Sequence, residues 1–148
     1  MMEQDATLVG GIWNHLLGVP YVPGGRSQNV GFDCLGLVLA GLRVLGIELS
    51  DPWPRLEERW AEGWREVGEI APDGFVRIDP SPQDGLWPRP FAFREGDVLV
   101  TGSHGIPQHL GLAIDAHSGL HIRRLQFSRL IPHEVFRDHL LWAWRPPR

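Results

Sequence analysis

Residues 31–46 read Gly-Phe-Asp-Cys-Leu-Gly-Leu-Val-Leu-Ala-Gly-Leu-Arg-Val-Leu-Gly, and this run decides the fold. Asp33 is a residue type that caps helix N-termini. From Cys34 to Leu45 the chain is apolar almost all round, the pattern of a buried helix, and Gly46 supplies its stop. Gly36 and Gly41 inside it cost about 1 kcal/mol each relative to Ala, a loss that close packing against neighbouring backbone would offset. The reading is a buried helix whose first turn carries the one cysteine of the chain.

That position matters chemically. A thiol attacks carbonyl carbon as thiolate, so its pKa must fall below the free value of about 8.5. A helix N-terminus offers the equivalent of roughly half a positive charge, and its unpaired N–H groups can hold an oxyanion. Cys34 is therefore the candidate nucleophile, with its own N–H as an oxyanion donor. A lone cysteine on an apolar helix is otherwise a small buried hydrophobe. Here the Asp33 cap, the Gly-rich approach and the histidines downstream favour chemistry.

Working outward, Asp5 to Leu17 is expected to be a short helix with Leu8, Ile12, Trp13 and Leu16 as its apolar stripe, stopped at Gly18. Residues 19–33 are rich in Gly and Pro and read as a loop. Beyond the central helix, Pro52 and Pro54 break the chain. A second helix then places Leu56, Trp60, Trp64 and Val67 on one face, the two tryptophans read as core packing. Ile70 to Phe93 is irregular, so residues 51–94 form a Trp/Pro-rich insert.

The last third changes period. Residues 96–102 alternate as a strand. His109 to Ala116 alternates too, with Leu110, Leu112 and Ile114 on one face and His109, Gly111 and Ala113 on the other. Leu120 to Phe127 forms a hairpin with it, and Leu140 to Pro146 is a final strand. Helices first and antiparallel strands later give an α+β fold, with N-terminal helices packed on an antiparallel sheet.

A nucleophile needs a base, and the base needs an orienting partner. His109 is the candidate base, at the opening of its strand. His121, across the hairpin, is the candidate orienting residue, and His117 competes for that role. His117 and His121 also have the H-x3-H spacing of zinc ligands, but paired C-x-x-C ligands are missing and no metal is expected. No phosphate-binding loop appears, and no cofactor is expected.

The 148 residues suit one domain, 1–148. A net charge of −4, with no lysine, gives no general attraction to nucleic acid. A single cysteine excludes an intramolecular disulfide. The first residues lack the basic and apolar regions of a signal peptide, and no stretch approaches the ~18–20 apolar residues of a membrane span. The expectation is synthesis in the cytoplasm, with exit by lysis or inside a particle.

The run from Leu17 to Val38 resembles the start of the NlpC-type papain-like cell-wall cysteine peptidases, in which a P-Y-x-x-G-G loop precedes a D-C-x-G-L helix start. Gly96-Asp97-Val98-Leu99-Val100, His109-Leu110-Gly111-Leu112-Ala113-Ile114-Asp115 and Gly119-Leu120-His121-Ile122 resemble the family's later strands, in the same order. The resemblance covers about Leu17 to Arg145. It implies a papain-like fold, with Cys34 as nucleophile, His109 as base and His121 as third residue. It further implies Tyr21 near the thiol and Asp33 meeting a substrate amine. Within the family the chain is most similar to the phage tail-assembly branch, which implies a peptidoglycan stem peptide as substrate, cut after D-Glu by a D,L-endopeptidase. The implied setting is a virion tail or phage-like particle, with tail-tip proteins as partners. Leu35 and the two arginines after Ile122 depart from the family's usual residues. Two other readings stand beside this one: a mainly structural tail-tip protein with latent activity, and a related thiol amidase or acyltransferase.

Overall fold

The computed structural model describes residues 11–54, 56, 60–80, 93–132, 135, 136 and 139–147. The helix expected after Asp33 is α1 (Cys34–Val44). Asp33 is extended at the N-cap and accepts the N–H of Gly36 at 2.7 Å. Residues Leu35 to Leu42 are all buried, as an all-round apolar helix requires. Gly46 ends it with φ +82°, a conformation glycine adopts without strain.

The N-terminal helix expectation needs correction. Gly11–Leu16 is a single 3-10 segment, and Asp5 to Gly10, with Leu8, lie outside the described residues. Its three-residue turn puts Trp13 and Leu16 into the core and leaves Ile12 60% exposed. The segment after it is also more regular than a loop. Strands β1 (Arg26–Ser27) and β2 (Gly31–Phe32) pair as a small antiparallel hairpin.

The second helix is α2 (Trp60–Glu69), which buries Trp64 and Val67 as its spacing predicts. The irregular stretch beyond it contains a strand that the sequence reading missed, β3 (Val76–Ile78). It is short and mostly exposed, so it carries little alternating pattern.

The remaining strands are β4 (Val98–Ser103), β5 (Ile106–Ala113), β6 (Ser118–His121), β7 (Arg129–Pro132) and β8 (Leu140–Arg145); the strand expected from Leu120 to Phe127 ends at His121, where the chain turns over Arg123 to Gln126. With β3 they make one antiparallel sheet in the order β3-β8-β4-β5-β6-β7. The α+β expectation holds. The last strand sits inside the sheet, and a bidentate ion pair fixes it there. Arg145 donates to the fully buried Asp97 at 2.9 and 2.7 Å.

Both faces of the sheet are covered. Val98, Val100, Leu110, Leu112 and Leu120 join α1, α2 and Trp13 in the larger core. Leu99, Ala113, Ile131, Leu140 and Ala143 form a smaller core with Phe93 and Phe136. Trp142 and Trp144 meet edge to face at 6.3 Å in the larger core, and Trp144 Nε1 donates to the Val67 carbonyl.

Candidate active site

The N-terminus of α1 is held by backbone contact. A Cβ on Gly36 would collide with the carbonyl oxygen of Gly25, and a Cβ on Gly25 would collide with the Gly31 carbonyl. The glycines of the loop and of the helix are therefore what lets the loop lie against the first turn, the offset their helix cost called for. Asp33 Oδ1 also receives Arg26 Nη1 at 2.7 Å, and Arg26 Nη2 reaches Asp51 at 3.3 Å. This network ties loop, helix start and the segment before α2 into one unit.

Cys34 stands at the first position of α1, partly buried. The backbone N–H groups of Leu110 and Leu35 favour its thiolate form. Leu110 follows His109 in β5, so the thiol and the imidazole meet the same strand region. Cys34, His109, Tyr21 and Asp33 line one cavity of about 660 Å³. Tyr21 packs against the core, and its N–H donates to the Gln126 carbonyl at 3.0 Å. No hydrogen bond joins Cys34 to His109 among the described residues. Such bonds are often completed only when substrate is bound.

His109 Nε2 lies 3.2 Å from His121 Nδ1, with the rings edge to face at 5.3 Å. His121 is 2% exposed and meets Phe136 edge to face. His117 sits in the turn between β5 and β6, where its N–H is held by Asp115. The geometry therefore selects His121 over His117 as the partner of His109. Among the described residues no group of three or more His, Cys, Asp or Glu could hold a metal ion.

One feature of His109 differs from expectation. It does not open β5 but lies in its interior, and the register shifts beside it. Thr101 pairs with His109, whereas Gly102 pairs with Pro107, which leaves Gln108 as an extra residue. On the other side of β4, Val100 pairs with Trp142 and Thr101 with Leu140, leaving Leu141 extra. Bulges on both flanks of Thr101 bend the strands at this point. Thr101 Oγ1 donates to the His109 carbonyl at 3.3 Å.

The electrostatics also differ from the sequence expectation of a lowered thiol pKa. Burial, and then Asp33, push the Cys34 thiol up to about 12, against the opposing Leu110 and Leu35 N–H groups and Arg26. Burial, then His121 and Arg123, hold His109 down to about 3. Burial, then Arg123 and Arg129, hold His121 down to about 4. Burial, then Cys34 and Asp33, raise Tyr21. The resting site is a neutral thiol beside neutral imidazoles. For His109 to take a proton at Nδ1, its Nε2–H must donate to His121 Nδ1. His121 then carries its proton on Nε2, a buried atom with no hydrogen-bond partner.

No family model matches the chain, and no curated protein matches it. Solved structures do. The NlpC/p60 domain of the peptidoglycan hydrolase SagA is 22% identical, with TM-score 0.54, over 94% of this chain and 96% of that one. The P60 domain of an antigen from M. avium subspecies paratuberculosis is 20% identical, with TM-score 0.53, over 99% and 97%. A lipoprotein-like NLP/P60 family protein from Staphylococcus aureus is 19% identical, with TM-score 0.55, over 99% of this chain. This chain spans only 42% of that protein's length. What these likenesses share with the present chain is architecture: it has the α+β fold of NlpC/p60 domains.

Proposed function

We propose that the chain is a cysteine peptidase that hydrolyses peptidoglycan stem peptides, with Cys34 as nucleophile, His109 as base and His121 as its orienting partner. The observation that carries this reading is the shared cavity: a thiol at a helix N-terminus faces the same space as an imidazole backed by a second imidazole. The fold of a peptidoglycan hydrolase domain supports the substrate class. The finer reading is a D,L-endopeptidase cutting after D-Glu, working in the tail tip of a phage or phage-like particle.

The neutral resting pair sets the order of events. The Cys34 proton passes to His109 Nδ1 as sulfur bonds to the substrate carbonyl carbon. The tetrahedral oxyanion takes first-turn N–H groups, that of Cys34 included. His109 then gives its proton to the leaving amine as the C–N bond breaks, leaving a thioester. His109 next takes a proton from water, which attacks the thioester, and the thiol leaves with that proton. Tyr21 borders the cavity. Asp33, whose Oδ1 is occupied by Gly36 and Arg26, meets a substrate amine through its other oxygen.

A second reading, a tail component whose activity is latent before assembly, is favoured by the elevated thiol pKa. One experiment addresses both. Purified peptidoglycan is incubated with wild type and with Cys34→Ala, and soluble products are read by mass. Muropeptides released by wild type alone establish the peptidase and name the bond. No release by folded wild type overturns activity in the free protein and leaves the latent tail component.

A further inference from the structure

More than half of the described arginines are spoken for. Among the described residues Arg26, Arg43, Arg65, Arg77 and Arg145 each stand against a carboxylate. Arg94, Arg123, Arg124 and Arg129 do not, and of these Arg123 and Arg124 occupy the wall of the cavity that holds Cys34 and His109. They lie just beyond β6, the strand that carries His121, with Ile122 between.

Their placement is fixed. Arg123, Arg124, Leu125 and Gln126 form a turn closed by Gln126 N–H to the Arg123 carbonyl, with Leu125 at φ +62°. The turn is tied to the opposite wall, since Tyr21 N–H donates to the Gln126 carbonyl and Ser128 N–H to the Val19 carbonyl. Both guanidinium charges are felt inside the site. Arg123 acts on His109 and His121, and Arg124 acts on Tyr21. Among the described residues of the cavity wall the one carboxylate, Asp33, is already engaged by Arg26.

A protein of net charge −4 thus sets two cations, without a carboxylate partner among the described residues, at the mouth of its cavity. Their planar forks match carboxylates in shape and charge. We propose that Arg123 and Arg124 receive a carboxylate of the substrate, so that the cleft selects stem peptides with a free carboxylate beside the scissile amide over those carrying a carboxamide there. The substrate identity rests on the peptidase reading. The anion-receiving wall does not. In a stem peptide the γ-linked glutamate leaves an α-carboxyl group in that place.

Two measurements test the proposal on the full chain. Two synthetic stem peptides that differ only in a free or amidated glutamate α-carboxyl are compared by kcat/KM. Wild type is expected to prefer the carboxylate by about tenfold, and Arg123→Gln/Arg124→Gln to bring the pair within about twofold. The preference should shrink in high salt. Equal cleavage by wild type, or a preference that survives in the double variant, overturns the proposal.

The second measurement needs no peptidase activity. Cys34 is alkylated with bromoacetate and with bromoacetamide, and the ratio of rates is compared between the two proteins. The double variant should lower that ratio by about tenfold. If neither peptide is cut but the ratio falls, the anion-receiving wall stands and the peptidase reading is lost. An unchanged ratio overturns the proposal. Arg123 and Arg124 are exposed, so folding of the variant is not at stake.

Discussion

The two halves of the candidate site are built by opposite means. The thiol half is local: within four residues Asp33 caps, Cys34 follows and Gly36 admits the loop backbone. The histidine half is assembled across strands. His109 and His121 meet because β5 and β6 pair in one register and because bulges flank Thr101. A short-range design tolerates distant change and fails abruptly when its few residues change. A register-based design can be detuned gradually.

The sharpest way to break the comparison is to remove one member of each half. On the proposed mechanism, Cys34→Ala and His109→Ala should each lower kcat/KM on a peptide substrate by about 10³-fold or more, because there each takes part in bond-making or proton transfer. His121→Ala should cost less, about 10–100-fold, because in that mechanism it acts on the orientation and tautomer of His109. An equal loss for all three would mean that the histidine half is as brittle as the thiol half.

Gly36→Ala probes the thiol half without touching chemistry. The new methyl group would meet the Gly25 carbonyl oxygen, backbone that cannot rotate away. A loss of about 1–3 kcal/mol in urea denaturation is expected, with activity falling alongside as the loop shifts. Stability within 0.5 kcal/mol of wild type, taken as the roughly neutral range for harmless substitutions, would show that the backbone contact is slack.

The smallest signals are slopes with pH, and they separate the halves by direction. The histidines are held below their ordinary 6.5, at about 3 and about 4, so the unfolded chain binds more protons than the folded one as pH falls. Stability from this source is complete above pH 6.5 and is lost as pH drops toward 4 and then 3. The thiol is held above its ordinary 9.0, at about 12, so its contribution is complete below pH 9 and is lost as pH rises toward 12. Thermal melts of wild type, His109→Gln and Cys34→Ser across both ranges should flatten one slope each. Cys34 alkylation should climb through the alkaline range without a plateau near neutrality.

What could be read in the sequence follows the same division. The helix start, its cap and its two internal glycines were legible because side-chain type and spacing encode them locally. Strand identity was legible for β4, β5 and β8, whose apolar alternation is long. The preference for His121 over His117 waited on the hairpin register, because both lie within reach of a strand end. The bulges at Gln108 and Leu141 left no trace in composition, so His109 was expected at a strand opening it does not occupy. The 3-10 segment was read as an α-helix because Ile12, Trp13 and Leu16 satisfy either period at that length. The thiol's raised pKa was missed because burial, which opposes the helix end, is a property of the folded surroundings.

The hydrogen bonds of Ser128 bear on how the molecule comes to exist. Its hydroxyl and backbone groups hold Leu16, Gly18 and Val19, more than a hundred positions earlier in the chain. Contacts of such separation form late, after long stretches of chain have been ordered. On a ribosome, the segment bearing Tyr21 has its local pairing with Phe32 but not its ties to Gln126 and Ser128 until residue 128 has emerged from the exit tunnel. The cleft is therefore among the last parts of the nascent chain to take shape, and a prematurely terminated product would carry the cysteine without the wall that faces it.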